Sequence, residues 1–498
     1  MGNVFLNGLA DATNYGLTEN GAVKHLSTRN LLLDMFALGG AYRTRSDADV
    51  ILLFKNALET DETYALKCLF YLRDARGGQG ERRFFRVCMR WLATERPEAA
   101  KRNMNLISEY GRWDDLYCFI DTPLQEDALE IIKNQLVIDL ESVKQDNTAV
   151  SLLGKWLKSC NTSSKESRYL GNITREYLGL TQKQYRQTLS LLRTRINIVE
   201  KLMSENRWDE IEFDKIPSKA GLIYKNAFAR RDIIKEKYAQ FAKDTTTKVN
   251  AGTLYPYEVV QKATTQMFIH EGFHGSDVDR AMVNKYWDNL KDYLEGGEFN
   301  GLAVVDTSGS MRGTPLDVAI SLGMYCAEKA NGPFHGHYIS FASRPQLIKV
   351  EGVDFVDKVY RIYKTNLIDN TNIEAVFKLL LDTAIENKCE QEDLPQNILI
   401  ISDMEFDCGT SMYNYSEDKI STLMENIAEE WELNGYKLPH LIYWNVDART
   451  NNIAQLGNGP ISFVSGMSPS IFQTIISGKT GVDLMYETLN AERYNAIK

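Results

Sequence analysis

The chain has 498 residues, a length that suits two to four domains at roughly 100–200 residues each. Apolar residues make up 44 % and charged residues 25 %, a globular balance that excludes a disordered or collagen-like chain. The net charge of −10 is unevenly divided: residues 1–300 hold 42 Lys and Arg against 41 Asp and Glu, and residues 301–498 hold 15 against 26. No apolar run reaches the roughly 18–20 residues that span a bilayer. Residues 1–10 have no basic stretch followed by an apolar core, so no secretory signal is expected. The 7 cysteines are scattered and form no C-x-x-C pair. They read as reduced, buried thiols of a cytoplasmic protein.

Taken in chain order, residues 1–297 are expected to form a helical module. Apolar residues recur at three- and four-residue spacing in 31–36, 66–72, 84–92, 129–140 and 189–203. Glycine-containing breaks such as Gly39–Gly40, Gly77–Gly80 and Gly111 separate them, which predicts helices stacked in pairs. One string echoes: Gly111-Arg-Trp-Asp-Asp-Leu116 returns as Asn206-Arg-Trp-Asp-Glu-Ile211. The plain reading is a helix-to-helix turn, with Trp113 and Trp208 filling a gap and the acids capping the next helix.

Residues 151–250 carry 20 basic against 11 acidic residues. Lys155, Lys158, Lys165, Arg168, Arg175, Lys183, Arg186, Arg193 and Arg195 alternate with Tyr169, Tyr177 and Tyr185. Arg73, Arg76, Arg82 and Arg83 offer a second basic rim. Cations release counterions from phosphates and aromatics stack on unpaired bases, so this island is a candidate RNA surface. The competing reading is a solvated helix face. Further on, His270-Glu271-Gly-Phe-His274 matches H-E-x-x-H, which binds zinc when a helix presents both histidines on one face, with Glu271 as general base and Glu295 or Glu298 as third ligand. Gly272 and Gly275 weaken such a helix.

From residue 298 the pattern changes. Short apolar strands are expected at 301–306, 337–342, 397–403, 440–446 and 461–464, alternating with helices at 315–330, 373–385, 416–433 and from Ser470 and Asp483. That alternation predicts one doubly wound α/β domain over 298–498. Its first strand ends in Asp306-Thr-Ser308-Gly-Ser310, where such sheets present their ligand loops. Thr371 precedes a helix and Asp403 ends a later strand on the same expected edge. Together, Asp306, Ser308, Ser310, Thr371 and Asp403 offer five oxygens to a hard cation: Mg²⁺, with Mn²⁺ or Ca²⁺ as alternatives.

The order Asp306-x-Ser308-x-Ser310, Thr371, Asp403 resembles the metal-ion-dependent adhesion site of von Willebrand factor A domains. The resemblance implies a mostly parallel sheet flanked by helices, an ion whose open position takes a partner's carboxylate, and no catalysis. A helical module ahead of such a domain resembles the TROVE module of Ro ribonucleoproteins, as does Leu72-Arg-Asp-Ala-Arg-Gly-Gly-Gln-Gly-Glu-Arg82. That resemblance implies HEAT-like helical repeats that close into a ring with the A domain and bind misfolded or small structured RNA. The sequence therefore points first to a non-catalytic RNA-binding scaffold. The alternatives are an A-domain interaction module serving a MoxR-type AAA+ ATPase, and a zinc metallopeptidase through His270, Glu271 and His274.

Overall fold

Short polar side chains set most helix starts. Asn30 accepts from the amides of Leu32 and Leu33 to open Leu31–Leu38, Ser46 opens Asp47–Thr60, and Asp61 opens Glu62–Arg73, each satisfying amides that a first turn leaves free. The computed structural model describes residues 4–145, 150–196, 198–252, 254–268, 272–294, 299–341, 344–365, 372–407, 423–450, 461–475 and 479–498.

Helices dominate residues 31–288, as the spacing predicts. Arg82–Glu95 turns Phe84, Phe85, Cys88, Met89 and Leu92 inward, one apolar stripe repeating with the helical period. The expected helix at 189–203 divides into Gln182–Arg195 and Val199–Ser204, because Ile198 adopts extended backbone between them. Both copies of the Arg-Trp-Asp string form 3₁₀ turns, Trp113–Phe119 and Trp208–Glu210, and Trp208 is buried as a plug. Between the helix Val4–Ala12 and Leu31–Leu38 stands an unexpected hairpin, β1 (Tyr15–Leu17) and β2 (Val23–His25). A second small hairpin, β3 (Met267–Phe268) and β4 (Gly272–Phe273), follows the helix Pro256–Thr264.

The remaining strands form one six-stranded sheet: β5 (Gly301–Val305), β6 (His337–Ser340), β7 (Gln346–Lys349), β8 (Asn397–Ser402), β9 (His440–Asn445) and β10 (Ile461–Ser465). Their order is β10-β9-β8-β5-β6-β7, parallel throughout except for β7. Every residue of β5, β9 and β10 is buried, as covering by helices on both faces demands. The exposed β7 carries no apolar run, which is why the sequence did not announce it. Helix Thr314–Lys329 starts with a proline in its first turn, as expected.

The helical region meets the α/β domain at both of its ends. Near the start, the Gly40 amide donates to Ser465 Oγ at 2.9 Å, and a Cβ on Gly40 would fall 2.5 Å from the Ser465 carbonyl oxygen. Near the end, Arg280 forks onto Asp354 at 2.7 Å through both nitrogens, and Trp287 stacks on Phe355. The last residues of the sequence return to the first helices. Arg493 and Tyr494 both donate to the fully buried Asp74, the Tyr494 hydroxyl at 3.1 Å. Among the described residues no helix is long and apolar enough to cross a membrane. Four of the cysteines are buried, Cys118 and Cys389 are half-buried, and Cys408 lies outside the described residues.

Candidate functional site

Strand β5 is followed in the sheet by β6 on one side, while β8 and β9 build outward on the other. The carboxyl ends of β5 and β8 therefore flank the point where the winding reverses, the crevice where such sheets bind ligands. Asp306 and Asp403 are the first residues beyond these two strands, and the Asp306 amide donates to the Ile401 carbonyl at 3.0 Å. Both side chains are almost fully buried, at 0 % and 1 % exposure.

The loop geometry arms this crevice with oxygens. Asp306 Oδ1 accepts the Ser308 amide at 2.9 Å, which turns the loop back toward the strand end. Ser308 Oγ and Ser310 Oγ lie 2.9 Å apart. Asp306 Oδ2 accepts from Ser402 Oγ at 2.5 Å. Burial, and then the neighbouring Asp403 carboxylate, push the Asp306 carboxyl up to about 7. Two buried neighbouring carboxylates disfavour each other's ionisation, and hydroxyl oxygens beside them suit a hard cation with waters completing its shell. The donor set thus fits a magnesium-type ion. Asp306 neighbours Asp403, and Ser308 and Ser310 lie on the loop that follows Asp306; Thr371 lies outside the described residues.

No motif or periodicity announces what lies beside this edge. Arg449, just past β9, donates to Asp403 Oδ2 at 2.8 Å and reaches Glu19 Oε2 at 3.2 Å. Glu405, 1 % exposed, accepts the Glu19 amide at 2.7 Å, and its carbonyl accepts from Asn20 Nδ2 at 2.6 Å. Thr18 Oγ1 donates to the Phe406 carbonyl at 2.6 Å. The turn of the β1–β2 hairpin is thereby fastened beside the carboxylates. The strings around Glu19 and Arg449 have no periodicity or motif, so no local signal joins residues nearly four hundred positions apart.

The basic residues divide into two sets. Arg73 is 2 % exposed and bonds Asp115 at 2.6 Å, and Arg86 reaches Asp115 at 2.7 Å and Asp114 at 3.1 Å. Lys158 joins Asp114 at 3.4 Å. Arg193 donates to the carbonyls of Gly154 and Leu157 at 2.9 and 3.0 Å. Arg175 holds the Leu180 carbonyl at 3.0 Å and Glu176 at 2.7 Å, and Arg76 holds the Glu109 carbonyl. Of the candidate RNA-surface cations, Arg73 is therefore buried, and Arg76, Lys158, Arg175 and Arg193 are engaged within the protein. Buried Arg73 needs a carboxylate whichever way the surface is used.

Arg82, Lys155, Lys165, Arg168, Lys183 and Arg186 form no ion pair among the described residues, and Lys165, Arg168, Lys183 and Arg186 are exposed. Arg195 is half-buried. Arg83, of the second rim, pairs with Asp47. The interleaved tyrosines mostly face inward. Tyr185 is buried and donates to the Lys158 carbonyl at 2.9 Å, and Tyr177 donates to Glu130. Only Tyr169 of the three is exposed. An open cleft beside Lys155 and Arg186 is lined by Trp156, which the expected basic pattern did not include.

Of the H-E-x-x-H segment, Gly272 and Phe273 form a strand and not a helix. His270 and Glu271 lie outside the described residues, as do Glu295 and Glu298, but the flanking residues pair as the β3–β4 hairpin. The His274 amide donates to the Gln266 carbonyl at 2.7 Å, and Gly272 has φ of +85°. A hairpin does not give the helical i, i+4 face that zinc binding by this motif requires.

Comparison with known proteins agrees in extent with this layout. A family model described as "Domain of unknown function (DUF2828)" matches residues 18–151 and 155–297. A second, "Domain of unknown function (DUF7788)", matches residues 300–496. "Uncharacterized protein L728" of Acanthamoeba polyphaga mimivirus is 28 % identical over 510 residues, covering 94 % of this chain and 85 % of that protein. The structure is similar to the crystal structure of the Deinococcus radiodurans RO (RSR) protein at 14 % identity and a TM-score of 0.49, covering 91 % of this chain and 100 % of that one.

Proposed function

This chain belongs to the DUF2828 family, and we propose that it is a non-catalytic RNA-binding scaffold whose α/β domain carries a divalent ion. The observation that carries the reading is the group of unpaired cations at 155–186, next to a cleft with an indole in its wall. Cations already occupied by carboxylates contribute little to binding a polyanion, whereas free ones release counterions on contact with phosphate. The resemblance of residues 72–82 to the Ro signature supports the same substrate class.

Asp306, Ser308, Ser310 and Asp403 hold the ion in this reading, with Thr371 as the further ligand the sequence motif implies. The ion supplies a Lewis-acidic position for a carboxylate from a partner protein. The chain's own residues do the positioning: Ser402 holds one Asp306 oxygen, the Ser308 amide holds the other, and Arg449 balances Asp403.

The test is filter binding of a small RNA with single-stranded ends across a salt series. Affinity is expected to fall steeply with salt, by about 0.9 logarithmic units per decade for each phosphate neutralised on duplex and about 0.7 on single strands. Affinity that ignores salt, or no binding at all, overturns the reading. Recovery of an ATPase lost on Asp306→Ala, with no RNA retained, would transfer it to the interaction-module alternative.

A further inference from the structure

The cleft beside the free cations has a chemistry of its own. Its volume is about 470 Å³, within the range of about 300–1,000 Å³ that small-ligand sites occupy. Helix Gln182–Arg195 forms its floor, and Leu153–Trp156 and Val199–Ser204 form its walls. Lys155, Trp156, Arg186, Arg193 and Glu200 all face it. The Arg112 guanidinium stands 4.4 Å from the Trp156 ring centroid, from outside the cleft. An indole backed by a cation is a platform on which a base can stack.

The cleft is polar in one direction. Arg186 and Arg193 are two turns apart, which is about 10 Å along a helix. Arg193 is occupied by the Gly154 and Leu157 carbonyls and has Glu200 as a neighbouring carboxylate. Arg186 therefore marks the end that attracts phosphate, and Glu200 the end that repels it. Glu200 Oε1 accepts the Tyr224 hydroxyl at 3.3 Å, while Oε2 is buried with no partner among the described residues. A buried carboxylate oxygen without a donor is costly. The last torsion of a glutamate is soft, so a small turn brings that oxygen to a donor arriving in the cleft.

We propose that this cleft binds one unpaired nucleotide of an RNA strand, its phosphate at Lys155 and Arg186, its base on Trp156, and an amino-bearing base edge at Glu200. A carboxylate accepts from the amino groups of cytosine, adenine and guanine, but uracil presents it with carbonyls on either side of one N–H. The cleft thus discriminates against uracil. This inference rests on the RNA-binding reading and adds a location and a base preference to it.

The experiment compares decamers of cytidine and of uridine, and a blunt duplex, binding to the full chain by fluorescence anisotropy. The wild type is expected to prefer the cytidine decamer by about tenfold, the factor one good base-edge contact supplies. Glu200→Gln is expected to bring the two within about twofold, because an amide serves either edge. Arg186→Glu is expected to weaken both decamers and flatten their salt dependence; Trp156→Ala weakens both by about tenfold through lost stacking. Arg186 is exposed, so its variant keeps the test open where Trp156→Ala unfolds the chain. Equal affinity for both decamers, or an unchanged ratio in Glu200→Gln, overturns the base preference. Decamer binding unmoved by Arg186→Glu overturns the cleft while leaving the RNA reading standing. Failure of every RNA, duplex included, overturns both.

Discussion

The carboxylate edge of the α/β domain and the basic stretch at 155–195 handle charge in opposite ways. At the first, two like charges are buried together, with their hydroxyl neighbours fixed by two strand ends and one tight loop. At the second, like charges stand on helix surfaces, and Lys158, Arg175 and Arg193 are engaged by carbonyls and carboxylates. Burial beside a like charge makes full ionisation of the first site costly without a nearby cation. Exposure makes the second site cheap to keep and tunable by salt. Charged residues, counted along a sequence, mean a fixed constellation in one place and a partly structural surface in the other.

The contrast breaks most visibly at Asp115, the buried anion that serves both Arg73 and Arg86. Asp115→Ala is expected to lower unfolding stability by about 3–5 kcal/mol, because it strands a buried guanidinium. Urea denaturation reads this directly, and a loss under about 1 kcal/mol would return Arg73 to the set of available surface charges.

The second test concerns pH. Asp306 in the fold holds its proton up to about 7, whereas an unfolded aspartate loses it near 4. Between those values the native state binds more protons than the unfolded one, so stability falls as pH rises through that window. The metal-free protein is expected to melt several degrees lower at pH 8 than at pH 5, and Mg²⁺ is expected to restore the difference. Asp306→Asn should abolish both effects; a pH-independent melting temperature in the wild type would count against the buried pair.

A smaller effect is expected at Arg449, which supplies Asp403 with its present counter-charge. Arg449→Ala removes a cation that competes with the ion, so calorimetry should find Mg²⁺ affinity raised a few-fold. Weaker binding would mean that the guanidinium positions Asp403 for the ion instead. The smallest effect belongs to the exposed cations: Lys165→Ala is expected to reduce the salt slope of RNA binding by about one counterion or less, while Arg175→Ala, already engaged with Leu180 and Glu176, leaves the slope unchanged.

The carboxylate edge was legible because strand ends dictate position. An apolar run such as Asn397–Ser402 places the next residue at the sheet's rim whatever else the chain does, so Asp306 and Asp403 could be assigned to one edge from spacing alone. The helical module was legible as helices but not in its joints: extended Ile198 divides one expected helix into two. The basic surface was the least legible, since nothing in the identity of Arg193 or Arg186 says which of them meets a carbonyl. Arg449, Glu19 and Glu405 were invisible for another reason, because their association depends on long-range packing that leaves no periodic trace.

The bond between Asp74 and Arg493 has a consequence for how the chain is made. Asp74 ends an early helix and is fully buried, yet its charge partner lies 419 positions later. Until residues 493–494 are in place, the end of Glu62–Arg73 lacks the cation and the hydroxyl that meet Asp74 in the fold. An excised helical fragment ending near residue 297 should therefore remain loose and prone to aggregate, and supplying the α/β domain as a separate chain should rescue it.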